Sequence, residues 1–147
     1  MPDFKKLEVW QKAHALSLAV HRASVRLRKP ELSSLRSQIF RAAMSVSANI
    51  AEGRRQSSDK QFARFLGYAL NSASELEHHL IVLRDLKAIS ESEFDSLISQ
   101  TITVRKMLFG LLKRLGASGV NSTHDPSAKA RSQSPLRRKP PAGSPEL

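Results

Sequence analysis

The chain has 147 residues, a formal net charge of +11 and no cysteine. That length supports one domain with a core of its own, and the missing thiols exclude disulfides, thiolate metal sites and cysteine nucleophiles. No stretch reaches the roughly 18 apolar residues of a membrane span, and the opening MPDFKKLEVWQKA holds no apolar export signal, so a cytoplasmic protein without membrane contact is expected.

In chain order, Val9, Ala13, Leu16, Val20, Ala23 and Leu27 recur at steps of four and three. This spacing predicts a first helix from about Phe4 to Lys29, stopped by Pro30. A second helix is predicted from about Ser34 to Gly53, with Leu35, Ile39, Ala42, Val46, Asn49 and Gly53 on one stripe and Gly53 as a left-handed cap. The third opens at Ser58, where Gln61 completes a capping box. Its stripe is Phe62, Phe65, Leu66, Ala69, Ala73, Leu76, Leu80 and Leu83. The fourth opens at Ser90 with Glu93 in the same relation, and continues through Phe94, Leu97, Thr101, Val104, Leu108, Leu111 and Leu115. No alternating strand pattern competes. Short links make neighbours antiparallel, so residues 1–115 are expected to form an all-α, up-down-up-down four-helix bundle.

From Gly116 onward the chain changes character. Five prolines, many serines and few large apolar residues cannot offset the entropy of ordering, so residues 116–147 are expected to be a disordered basic tail. Lys129, Arg131, Arg137, Arg138 and Lys139 stand there against Asp125 and Glu146, a net of +3. The bundle keeps the remaining +8, from 19 basic and 11 acidic residues.

The second helix is unusual. SQIFRAAMSVSANIAEG carries only Arg41 and Glu52 as charged residues across 17 positions. Beside the stripe it shows Phe40, Ala43, Met44, Ser45, Ser47, Ala48, Ile50 and Ala51, all small, polar or apolar. A helix that is quiet on every side is usually covered on every side, and a bundle covers only one. Another copy of the chain is the simplest cover, through Phe40, Ala43, Met44, Ser47, Ala48, Asn49, Ala51 and Glu52. The competing reading is a smooth surface helix of alanine and serine. Asn49 and Glu52 form the most unusual polar pair on this helix, better suited to a structural hydrogen bond or an interface ion pair than to catalysis.

Up-down topology also places charge. The start of helix 1, the end of helix 2, the start of helix 3 and the end of helix 4 share one end of the bundle. That end gathers Lys5, Lys6, Arg54, Arg55, Lys60, Arg64, Lys113 and Arg114 against Asp3, Glu8, Glu52 and Asp59. Cations of this kind hold phosphates without reading bases, so RNA or DNA is the expected partner. These charges are read as having no aromatic residue interleaved among them, so base stacking is not expected.

Catalytic and metal signals are thin. Glu75 and His78 make one Glu-x-x-His pair where a di-iron bundle needs two such pairs and two more glutamates, so His78 and His79 read as a surface pair. His14 and His21 are about 10 Å apart along the helix, too far to share a metal ion. No nucleophile elbow or glycine-rich phosphate loop occurs. No enzyme, cofactor, metal or small-molecule substrate is therefore expected.

FKKLEVWQKA (Phe4–Ala13), the Ser37–Gly53 segment above, FARFLGYALNSASELEHHL (Phe62–Leu80) and DLKAISESEFDSL (Asp85–Leu97) fall in one order and spacing. Together they resemble the small bacterial four-helix-bundle proteins first noticed as products of intervening sequences inside 23S ribosomal RNA genes. The resemblance spans roughly residues 3–115. It implies a bundle that assembles as a ring, typically a pentamer. The chain is also similar to the accessory proteins of diversity-generating retroelements, basic pentamers that work with a reverse transcriptase and nucleic acid. It departs in reading SVSANIAEG where the family usually has SIPSNIAEG, and ELEHHL where the family has ELETQL. The functional expectation is a non-catalytic homo-oligomer that binds nucleic acid or serves a ribonucleoprotein. The alternative is a scaffold for an acidic protein, with no nucleic acid.

Overall fold

A computed structural model describes residues 3–118. The tail expected at 116–147 lies outside the described residues from position 119 onward. Four α-helices run in order: α1 (Glu8–Ser24), α2 (Ser33–Arg54), α3 (Asp59–Asp85) and α4 (Glu91–Ser118). Each packs on its two neighbours around the bundle, α1 on α2, α2 on α3, α3 on α4 and α4 on α1.

The element ends correct the sequence reading in four places. Phe4–Lys6 is a separate 3-10 turn, opened by Asp3, whose Oδ1 accepts the Lys5 N–H at 3.0 Å. α1 stops at Ser24 rather than Lys29, because the chain turns there through bonds from Arg26 N–H to Ala23 O and from Arg28 N–H to Arg26 O. Leu27 is still buried, so its place in the apolar pattern is met by a turn and not by a helix. α4 runs three residues past Leu115, to Ser118. Gly53 is no left-handed cap, since no glycine among the described residues has positive φ.

The reason for a glycine at 53 is contact. A Cβ there would stand 2.8 Å from Phe65 Cβ and 3.0 Å from Phe62 Cδ2, so only glycine lets α3 approach α2 this closely. Two turns earlier on α2, Ser45 Oγ and Ser72 Oγ share a hydrogen bond of 2.8 Å between the same two helices. Small side chains make α2 against α3 the most extensive helix pair.

The N-caps form as expected, Ser58 Oγ accepting from Gln61 N–H and Ser90 Oγ from Glu93 N–H. Such caps contribute about 1 kcal/mol each by satisfying backbone donors a helix start leaves open. α3 ends in a Schellman turn. Ala88 N–H bonds to Leu83 O and Lys87 N–H to Arg84 O, and Lys87 takes the left-handed conformation at φ 57°.

The core comprises one cluster drawn from all four helices, with Leu16, Ile39, Leu66, Leu76, Leu80 and Leu108 fully buried at its centre. Each such leucine or isoleucine contributes about 1.5–3 kcal/mol by leaving water. The buried hydroxyls of the core are satisfied: Thr101 Oγ1 donates to Leu97 O, and Ser17 Oγ lies 3.0 Å from Ala13 O and 3.1 Å from Ala43 O, tying α1 to α2. The α1–α4 contact is the least extensive of the four. Two open grooves lie along it, one of about 570 Å³ between Ala19, Ala23, Leu97 and Gln100, the other of about 240 Å³ at Lys12, Ala15 and Thr103.

Candidate nucleic-acid interface

The two predicted sets of functional residues lie on α2 and at the end of the bundle where α2 meets α3. The turn at Phe4–Lys6 packs on α2. A cleft of about 420 Å³ is lined by Leu7, Glu8 and Val9 from the start of α1 and by Met107, Leu111 and Arg114 from the end of α4. The start of α1 and the end of α4 therefore share an end, to which the Gly53 contact joins α2 and α3. All eight predicted cations belong to these segments.

Their environments differ. Lys5, Lys6, Arg55, Lys60, Arg64, Lys113 and Arg114 are exposed, whereas Arg54 is half-buried. Lys5 Nζ is 3.9 Å from Asp3 Oδ2, and Lys6, Arg55, Lys60 and Lys113 face solvent with no carboxylate partner among the described residues. The Arg54 guanidinium lies 5.8 Å from the centre of the Phe62 ring, and its Nε is buried without a hydrogen-bond acceptor. It is a packing residue as much as a surface charge. Arg64 Nε donates to the Tyr68 hydroxyl at 2.6 Å, and its guanidinium covers that ring at 5.7 Å. Phe4 meets Trp10 edge-on, and Trp10 stacks on His14 with ring centres 4.8 Å apart.

These rings correct the sequence reading that aromatics and cations are not interleaved. Folding brings Phe62 to Arg54 and Tyr68 to Arg64. The signal is present in the sequence as Phe62 between Lys60 and Arg64, and as the four-residue spacing of Arg64 and Tyr68, which puts both on one helix face.

The predicted oligomer face divides. Ala43 and Ser47 are buried within the chain itself, and so is Ile50, which corrects their placement on an outward surface. Phe40 is half-buried with its ring 5.2 Å from that of His21 on α1. Asn49 does not pair with Glu52; its Nδ2 donates to Ser45 O at 2.8 Å and lies 3.1 Å from Ser45 Oγ, holding the serine that bonds α3. Met44, Ala48 and Glu52 face solvent, with Ala51 half-exposed beside them. Met44 is 45% exposed, a large apolar side chain amid small ones.

The histidine pair is also corrected. His79 is only 8% exposed, and its Nε2 lies 3.3 Å from Glu75 Oε1 one turn earlier, while His78 points outward. The contact is therefore Glu75 with His79, at four residues, and not Glu75 with His78 at three. Among the described residues no three His, Cys, Asp or Glu side chains gather as a metal site, and no helix is long and apolar enough to cross a membrane.

The fold is shared with a solved structure. A protein of unknown function from the S23 ribosomal protein family of Bacteroides thetaiotaomicron superposes with a TM-score of 0.68 at 24% identity, covering 71% of this chain and 98% of that one. No curated protein matches the chain. The model of the 23S rRNA-intervening sequence protein family matches residues 5–110, the whole bundle but for its last helical turns, and this chain belongs to that family.

Proposed function

We propose that this protein is a non-catalytic, self-associating bundle, a pentameric ring, that holds the phosphate backbone of RNA or DNA on its basic end. One observation carries the reading: eight cations from four chain segments meet at one end, four of them solvent-facing without a carboxylate partner. Paired cations would spend their charge internally; these have none to neutralise them. Self-association rests on the outward strip of α2, where Met44, Ala48 and Ala51 present small and apolar surface, and on the resemblance that implies a ring. A ring repeats the basic end around its axis, and repeated weak phosphate contacts act together through avidity.

The test replaces exposed cations only, because Arg54 packs on Phe62. Arg55→Glu with Lys60→Glu should weaken binding of unrelated RNA and DNA sequences alike, since phosphate contacts carry no base information. Removing one cation–phosphate pair should flatten the slope of log affinity against log salt by about one unit. The melting temperature should stay unchanged, as expected of surface substitutions. If the unaltered protein retards no nucleic acid at low salt, the reading fails and a scaffold for an acidic protein replaces it.

A further inference from the structure

The opposite end of the bundle carries a second cationic feature of different shape. There the connection from α1 to α2 meets the connection from α3 to α4 around a half-enclosed cavity of about 280 Å³. Its rim holds Arg28, Lys29 and Lys87, none with a carboxylate partner among the described residues. Arg26 also reaches the rim but is engaged by Glu93. Leu27, Leu32 and Leu86 form an apolar floor, and Leu86 is 57% exposed.

Both walls are held in place. The Arg36 guanidinium donates from Nη1 to Leu27 O at 2.8 Å, fixing the strand of chain that bears Arg28 and Lys29. The Schellman turn fixes Lys87 on the other wall. Its φ of 57° is the region where glycine is the usual residue, because a Cβ crowds the neighbouring carbonyl there. A lysine at this position carries backbone strain that glycine would avoid, and its charge suits the carbonyl end of α3. Its side chain also joins Arg28 and Lys29 on the cavity rim.

Neighbouring carboxylates decide what kind of anion fits. Glu31 lines the cavity itself, while Asp85 ends α3 and Glu91, Glu93 and Asp95 lie in the first turns of α4. A continuous nucleic-acid backbone crossing here would run over them and be repelled. A compact anion inside the rim would meet three cations against a single lining carboxylate, Glu31, and an attached apolar or planar group would cover the leucines. We infer that this cavity is a binding site for a small phosphorylated molecule of the nucleoside polyphosphate class, held without turnover and separate from the basic end.

Calorimetric titration of the full chain tests this with adenosine triphosphate and inorganic tripolyphosphate, free of divalent cations, at low salt. Adenosine triphosphate should bind once per chain and more tightly than tripolyphosphate. Lys87→Gly should weaken it about tenfold, the value of one charged hydrogen bond, without lowering the melting temperature. Arg28→Glu should weaken it at least as much. The pair Arg55→Glu and Lys60→Glu should leave it within about twofold, so that failure of the basic-end reading is seen separately. Unchanged affinity in both Lys87→Gly and Arg28→Glu, equal affinity for the two probes, or no binding at all overturns the assignment.

Discussion

Ala43 and Ala48 stand on the same helix, five residues apart and identical in chemistry. Ala43 is 0% exposed, its carbonyl bonded by Ser17 of α1, whereas Ala48 faces solvent one and a half turns on. The inner face of α2, with Ile39, Ala42, Val46, Ser47, Ile50 and Gly53, is built for close approach of its neighbours. The outer face, with Met44, Ala48 and Glu52, has Ala48 set between two larger side chains and is uncovered. Small residues thus serve two ends on one helix: on the inside they shorten the distance between helices, and on the outside they leave the strip proposed to receive a second subunit.

Substitution sharpens that contrast, and the largest effect belongs inside. Ala43→Glu puts a carboxylate into a fully packed core with no cation beside it, which costs about 3–5 kcal/mol or more. Loss of the cooperative thermal transition is the expected outcome; a melting temperature near that of the unaltered protein would place Ala43 outside the core. Gly53→Ala comes next. Its new methyl collides with Phe65 Cβ and Phe62, so α3 must shift, at about 1–3 kcal/mol by chemical denaturation. Helix propensity alone predicts the opposite sign, since alanine is the better helix former by about 1 kcal/mol. A stabilised Gly53→Ala protein would therefore break the close-approach account.

The smallest effect on the single chain lies outside. Ala48→Glu should change subunit stability by no more than about 0.5 kcal/mol, as is usual for exposed sites. It should nonetheless reduce the particle size measured by light scattering, because a carboxylate then enters the proposed subunit contact. Equal particle size for Ala48→Glu and the unaltered protein would leave the outer strip as ordinary surface.

Much of the architecture was legible because periodicity reports it directly. Val9, Ala13, Leu16, Val20 and Ala23 are all buried as the spacing predicts, and so are the α3 stripe positions Phe62, Leu66, Ala69, Ala73, Leu76, Leu80 and Leu83. Failures occurred where residue type is silent about direction. Alanine and serine carry no marker of inside or outside, so Ala43 and Ser47 were placed on the same side as Ala48. Leu27 kept the apolar rhythm while the backbone left the helix. Gly53 announced a special position, but left-handed conformation and close approach both call for glycine, and only the neighbouring Phe65 separates them. At the basic end the cations were legible from topology alone. That Arg54 is largely a packing residue was not, because Phe62 comes to it from the next helix.

The grooves between α1 and α4 bear on how the molecule assembles and opens. Three of the four helix contacts join segments adjacent in the chain, which close short loops and form fast; α1 with α4 joins the two extremes of the bundle. That last closure carries the longest loop entropy and the loosest packing, since the grooves of about 570 and 240 Å³ lie along it. Native-state hydrogen exchange should accordingly rank α1 below the α2–α3 pair in protection, with the bundle parting along this seam while Gly53 and its phenylalanines stay closed.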